Sequence, residues 1–402
     1  MKKFNYEARD RSSDKIVKSV VQAESEKEAA KLLMDQGFTP LHIAEEIEGG
    51  LLGKLTNRVT TKDRIVFSRQ LATLIGAGLP LSQSLRTVLD QTQGKAMQSI
   101  IEEIITDVEG GKSLSSSFAK HPKVFDNIFL ALVEAGEASG TLDEALQRVA
   151  AQQEKDAAMM GKIKGAMIYP AIVMVVIVAV LVFMLVTVVP QVQGLYASMN
   201  KPLPALTQGL VATANFLTHY WYIVLVVLGI VIYFFRQYMR TDSGIKVKDT
   251  FMLNAPVFKG MFRKLYMARF TRTGQTLLST GVAMLDMLRI SADAVNNTVI
   301  SASITRAADK VKGGKALSES LKPEDYVLSL VPQMIKIGEQ SGKIDEMMGK
   351  TAQVYEDELD AEIGAISTAI EPILMVVMAV VAGGMVGAVL FPIYSLVGAV
   401  NV

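Results

Sequence analysis

The chain has 402 residues, half of them hydrophobic, with 41 basic against 40 acidic side chains and a formal net charge of +1 at pH 7. So even a balance in so apolar a chain excludes an intrinsically disordered polymer and a nucleic-acid or general polyanion binder. The absence of cysteine excludes disulfides, thiolate metal sites and a cysteine nucleophile.

Residues 1–55 read as a small αβ domain. KFNYEARD, KIVKSVVQA and FTPLHIAE have strand composition around a helix whose apolar positions are Ala29, Ala30, Leu32 and Leu33. The opening MKKFNYEARDR has no apolar run behind its basic residues, so it is not read as a secretory signal, and the domain is expected in the cytoplasm. EGGLLGKLTNR follows as a linker.

Residues 56–165 are expected to form a cytoplasmic bundle of about six helices. Ile101, Ile104, Ile105 and Val108 fall at helical spacing, as do Leu142, Ala145, Leu146 and Val149. Thr60 with Asp63 and Thr141 with Glu144 fit helix N-terminal caps, and Gly110-Gly111 and Gly313-Gly314 fit helix stops.

Three nearly charge-free windows follow, at 171–189, 209–235 and 373–402. Each is long enough for the roughly 20 residues a helix needs to cross a bilayer. The first holds fourteen Val, Ile, Leu or Phe, which favour insertion by about −4 to −8 kcal/mol in sum. The expected spans are 166–190, 216–236 and 369–397. Between the first two lies a periplasmic loop at 191–215, because its only charge is Lys201, whereas Arg236, Arg240, Lys246, Lys248, Lys259, Arg263 and Lys264 follow the second window. Residues 237–262 are then a cytoplasmic connector, 263–368 a second bundle, and 398–402 a periplasmic tail.

The second bundle repeats the first. At a shift of 203, Phe67, Arg69, Leu74, Gly78 and Leu85 coincide with Phe270, Arg272, Leu277, Gly281 and Leu288, and VEGGKSL lies over VKGGKAL. At a shift of 202, GEASGTLDE from Gly136 matches GEQSGKIDE from Gly338 in six of nine positions, and Pro170 and Pro190 match Pro372 and Pro392. This is a duplicated module of about 125 residues, not a short motif. Both copies precede an inside-to-outside crossing, and the unpaired middle helix returns the chain to the cytoplasm between them.

The candidate chemistry is sparse. GGKS at 110–113 lacks the first glycine of a phosphate-binding loop, having Thr106 there, and its second copy reads GGKA, so a helix–helix turn is the expectation. The acidic residues Glu356, Asp357, Glu358, Asp360 and Glu362 read as a solvated helix face, with a weak divalent-metal site between protomers as the alternative. His42, His121 and His219 have no ligand spacing. No nucleophile–base pair, catalytic set, metal site or cofactor site emerges, which argues against an enzyme. The spans carry no central ionisable residue, which argues against an ion-coupled transporter. Ala379, Gly383 and Gly387 form a small-residue stripe suited to close packing against another protomer, this chain or a helical client. GEASG and GEQSG suit tight turns between helices, whose Glu137 and Glu339 could bond backbone donors or a partner.

Together these residues carry a family resemblance. Two copies of a glycine turn and a GExSG phrase, each followed by a membrane helix entered at Pro170 or Pro372, resemble the type II secretion F family over nearly the whole chain. That family contains the inner-membrane platforms of type IV pili and of type II secretion. The resemblance implies a mainly α, polytopic membrane protein with no catalytic activity of its own. It further implies contact with a hexameric assembly or retraction ATPase, with pilin or pseudopilin transmembrane helices and with other inner-membrane components, in a homo-oligomer. The motif positions it implies are Gly78, Pro80, Gly136, Glu137, Ser139, Gly140 and Leu142 in the first copy. In the second they are Gly281, Gly338, Glu339, Ser341, Gly342 and Ile344, with Ala283 opposite Pro80 and Lys343 opposite Thr141.

Overall fold

The computed structural model describes residues 2–10, 16–23, 26–35, 38–45, 58–198 and 205–400. The expected linker up to residue 57 and the last two residues of the expected tail lie outside the described residues. Residues 1–63 with 91–102 form one compact unit, and 64–90 with 103–402 a second.

In the first unit, β1 (Lys2–Asp10) pairs antiparallel with both β2 (Ile16–Ala23) and β3 (Phe38–Glu45), giving the order β2-β1-β3. The β1–β3 register shifts between Glu7 and Ala8, the mark of a bulge. Helix α1 (Glu26–Asp35) packs on β2 and β3. Its Leu33 is fully buried, but the expected apolar position Leu32 is exposed, because adjacent helical residues point about 100° apart.

Short helices then follow in a pattern that the second half of the chain repeats. The first set is α2 (Thr61–Gly76), α3 (Leu81–Gln91), α4 (Lys95–Glu109), α5 (Leu114–Ala119) and α6 (Asn127–Ser139), ending in the long α7 (Leu142–Phe183). Thr60 and Asp63 start α2 as a reciprocal capping pair: the Thr60 amide donates to Asp63 Oδ2 at 2.8 Å and the Asp63 amide to Thr60 Oγ1 at 3.1 Å. Ile101, Ile104, Ile105, Ala145, Leu146 and Val149 are buried, as their spacing requires. Around Phe67 the core is aromatic: Phe118 meets Phe125 and Phe129 with ring centroids 4.5 and 4.8 Å apart.

The expected boundary at residue 166 is no break in the backbone. From Leu142 to Ser198 the chain is continuously helical, passing through α7, a π-helical turn (Met184–Val188) and α8 (Val189–Ser198). Pro170 sits inside α7. The composition changes at 165, but the helix runs on through Gly165, with the good helix formers Ala166 and Met167 directly after it. The stretch expected as a loop at 191–215 is mostly helix, since α9 (Ala205–His219) follows, with Val189, Val211 and Ala214 forming a small buried cluster. Low charge bears on which side of the membrane the stretch lies, not on its backbone; residues 199–204 of it lie outside the described residues. Helix α10 (Trp221–Tyr238) then starts five residues later than the expected span.

After α11 (Asp242–Asn254) come α12 (Lys259–Ser279), α13 (Met284–Ala294), α14 (Thr298–Lys312), α15 (Leu317–Leu321), α16 (Leu330–Ser341) and the long α17 (Ile344–Val400). Among the described residues, three helical stretches are long and apolar enough to cross a membrane: Leu142–Ser198, Trp221–Tyr238 and Ile344–Gly387. Helix α17 runs along α12 and α7, and α13 meets α6. At one pair of matched core positions the copies differ. Leu71 and Leu146 are both fully buried, and their counterparts are Gly274 and Met348. A Cβ on Gly274 would come 2.2 Å from Met348 Cε, so the volume missing from one helix is filled from the other.

Candidate functional site

The repeated phrase forms the same device twice. Helix α6 ends at Ser139 and Gly140 takes the left-handed conformation, φ 75°; α16 ends at Ser341 and Gly342 does the same, φ 71°. The next amide, of Thr141 or Lys343, donates 2.9 Å back to the carbonyl of Gly136 or Gly338. Among the described residues, left-handed glycines recur in three matched pairs, Gly78 with Gly281, Gly111 with Gly314, and Gly140 with Gly342. At each the backbone closes a helix end.

The first glycine of the phrase has a different task. A Cβ on Gly136 would lie 2.4 Å from Ala145 Cβ, and one on Gly338 would lie 2.7 Å from Ile344 Cα. Both positions are bare so that the two helices of the hairpin can touch. The glutamate folds inward. Glu137 accepts hydrogen bonds from the Leu114 amide at 2.7 Å, the Ser115 amide at 3.1 Å and the Ser115 hydroxyl at 2.7 Å, so it caps α5. Glu339 likewise accepts from the Ser318 amide at 3.2 Å and hydroxyl at 2.5 Å, at the start of α15. Burial pushes the Glu137 carboxyl up, but the bonds from Ser115 and Leu114 outweigh it and its pKa lies below the ordinary glutamate value. Ser139 and Ser341 are exposed and hydrogen-bond the carbonyls of Ala135 and Ile337, each at 2.8 Å.

The expected cap at Thr141 does not form. Its backbone, φ −111° and ψ 44°, is not extended, and its hydroxyl pairs with that of Ser139 at 2.7 Å. Ser115 and Ser318, in the first turns of α5 and α15, carry the signal that sequence reasoning missed: serines that donate to the glutamates from 22 and 21 residues before them, at matched places in the repeat. Pro80 precedes α3 and Ala283 precedes α13, each accepting the first intrahelical bond at 2.9 Å, so the loss of proline leaves the turn unchanged. Leu142 and Ile344 open the long helices. The GGKS stretch is a turn after α4, where Lys112 Nζ pairs with Asp107 at 2.6 Å and Ser113 caps α5.

The acidic stretch of α17 faces basic partners. Glu356 takes both Arg272 Nε at 2.7 Å and Lys155 at 3.4 Å, Lys264 reaches Glu358 at 3.2 Å and Glu362 at 2.8 Å, and Lys162 pairs with Asp360. Asp357, Glu358 and Asp360 are exposed, as a solvated face requires, and the ion pairs along its edge also make it a charge seam joining α17 to α12 and α7. Among the described residues no cluster of His, Asp or Glu is arranged to hold a metal ion. Ala379, Gly383 and Gly387 are exposed, and added Cβ atoms on the two glycines would meet nothing within 4 Å, so no described helix of this chain covers the stripe. Pro372 is exposed within α17.

A helical module with two matched capping hairpins and, among the described residues, three helices long and apolar enough to span a membrane define a class of helical membrane protein. The chain belongs to the type II secretion system protein F family: the family pattern matches twice, at residues 67–190 and 270–392, and the pattern of the family's N-terminal domain matches residues 1–44. It is similar to the type IV pilus assembly protein PilC of Thermus thermophilus, 36% identical over 405 residues that cover 99% of both chains. It is similar to the type IV pilus assembly protein TapC of Aeromonas hydrophila, 33% identical over 98% of this chain and 95% of that one. It is also similar to the type II secretion system protein F of Xanthomonas campestris pv. campestris, 32% identical over 99% of both.

Proposed function

We propose that this protein is the inner-membrane platform of a type IV pilus machine, coupling a cytoplasmic hexameric ATPase to the insertion of pilins into the fibre or their removal from it. The observation that carries this is the 36% identity, across 99% of both chains, to a type IV pilus assembly protein. The equivalent platform of type II secretion, acting on pseudopilins, is the second reading, favoured by the 32% identity to a type II secretion protein F. The N-terminus is cytoplasmic and the C-terminus periplasmic, as the basic residues after α10 favour. The N-terminal αβ domain and the two repeated helical bundles then lie in the cytoplasm, and the protein acts as a homo-oligomer.

On this reading the two GExSG hairpins are docking points for the ATPase. Glu137 and Glu339 are engaged inside the fold, so the partner meets the exposed tips at Ser139 and Ser341. Pilin helices meet the uncovered stripe of Ala379, Gly383 and Gly387. The lack of native cysteine makes the test clean. A photocrosslinker on Ser139→Cys or Ser341→Cys, used in membranes from cells with native partners, is expected to capture a ring ATPase. Efficient crosslinking at control positions with no ATPase at either hairpin would remove these turns as the docking surface.

A further inference from the structure

Helix α11 joins the second apolar helix to the second copy. At its start, a Cβ on Gly244 would come 2.0 Å from the carbonyl oxygen of Tyr238, the last residue of α10, so α11 folds sharply back against the end of that helix. Beyond its other end, Gly260 abuts Glu362 of α17, where an added Cβ would lie 2.1 Å from Oε1. Lys162 of α7 pairs with Asp360 of α17, and no charge follows Lys164 in α7. Glu362 lies two residues, about 3 Å, past Asp360, level with the last charge of α7. The start of α11, about 20 Å long, is therefore at the end of α10, and the turn after it returns at Gly260 to the level of the last charge of α7, while α17 carries one further charge, Glu371, before its apolar run.

The two faces of α11 differ. Asp249 and Leu253 are buried, and Asp249 Oδ2 caps α14 by accepting from the Thr298 amide at 2.7 Å and hydroxyl at 2.8 Å. Gly244, Val247 and Phe251 share the other stripe, at spacing three and four. Gly244 turns that stripe toward the end of α10, and two turns on it leaves Val247 53% and Phe251 67% exposed. In the turn after α11, Val257 is 55% exposed and has φ 72°, a left-handed conformation that a β-branched residue adopts only under strain. Exposed Arg240, Lys248 and Lys259 flank these residues, Lys248 also reaching Asp249 at 3.5 Å, while Lys246 lines a cavity with Thr298 and Arg306.

We propose that α11 is an interfacial helix that buries Phe251, Val247 and Val257 in the inner leaflet while its lysines hold anionic lipid headgroups. The occupant is lipid, because the exposed stripe continues the side on which α10 ends and its charges complement an anionic leaflet. The helix then fixes the height and tilt of the second copy beneath the membrane.

This inference rests on α10 being a membrane span, and the experiment tests the two separately. The full chain carrying an environment-sensitive fluorophore at Phe251→Cys, Val247→Cys or Leu228→Cys is reconstituted into vesicles containing phosphatidylglycerol. Blue-shifted emission from positions 251 and 247, quenched by nitroxides placed shallowly on the lipid chains and protected from iodide, is expected. Loss of much of that quenching in purely zwitterionic vesicles is expected too. Water-like emission open to iodide overturns the proposal, and so does blue-shifted emission that lipid nitroxides do not quench, which marks a protein partner. Equal quenching in both vesicle types overturns the role of the lysines. Failure at positions 251 and 247 while position 228 is deeply quenched confines the error to α11; failure at 228 as well places it in the span.

Discussion

Arg272 grips Glu356 through two parallel bonds, Nε to Oε1 at 2.7 Å and Nη2 to Oε2 at 2.8 Å, and Arg69 grips Glu154 in the same way at the matching place in the first copy. Each pair ties the first helix of its copy to the long helix that becomes an apolar span. The environments differ: the side chains of the second pair are 13% and 15% exposed, those of the first 45% and 40%. Glu356→Gln is expected to cost about 2 kcal/mol by leaving a half-buried guanidinium partly unpaired. Glu154→Gln is expected to cost under about 1 kcal/mol. Thermal unfolding of the detergent-solubilised protein checks this; equal losses would show that the two copies are held alike.

The hairpin glycines divide into two kinds by the same test. Gly338→Ala forces a methyl against the Ile344 backbone, 2.7 Å away, which cannot yield without separating α16 from α17. A loss of about 2–3 kcal/mol is expected. Gly342→Ala meets open space and pays only for its left-handed φ of 71°, about 1 kcal/mol. Comparing the melting temperatures of the two variants checks the order.

Two carboxylates predict opposite slopes of stability with pH. The pKa of Glu137 is lowered below its ordinary 4.5, because hydrogen bonds outweigh burial. Its contribution is complete above that value and is lost as pH falls through the folded-state pKa. Asp156 of α7 is raised above 3.8, chiefly by burial and against the attraction of Arg269. Its folded form prefers the proton, so stability is lost as pH rises from 3.8 through the raised value. Glu137→Gln should lower the melting temperature at pH 7, with the loss shrinking as pH falls below 4.5 and through the lowered folded-state pKa. Asp156→Asn should raise it at pH 7, with the gain fading on acidification. Melting curves across this range check both signs.

How much of this was legible in the sequence depends on how local the cause is. Gly111 and Gly314 stop their helices because the required conformation belongs to the residue itself, and Thr60 with Asp63 cap α2 within one turn. Thr141 misled because its neighbour Ser139 takes its hydroxyl. The stretch 191–215 was read from its lack of charge, which speaks to topology and not to backbone, and most of it is helix. The seam of α17 with α12 and α7 joins residues up to 201 apart, as Lys155 with Glu356, and only the fold brings them together. Yet the repeat held a usable clue, since Arg69 and Glu154 recur as Arg272 and Glu356 at the two shifts.

The central claim is that ATPase work reaches a pilin through this chain. The most direct measurement places a photocrosslinker on the exposed stripe, at Gly383→Cys, in inside-out membrane vesicles that hold the native pilin and ATPase. The account predicts pilin adducts whose yield changes when ATP is added and does not change with a non-hydrolysable analogue. Pilin adducts indifferent to ATP, or none at Gly383 while lipid-facing controls react, would contradict it.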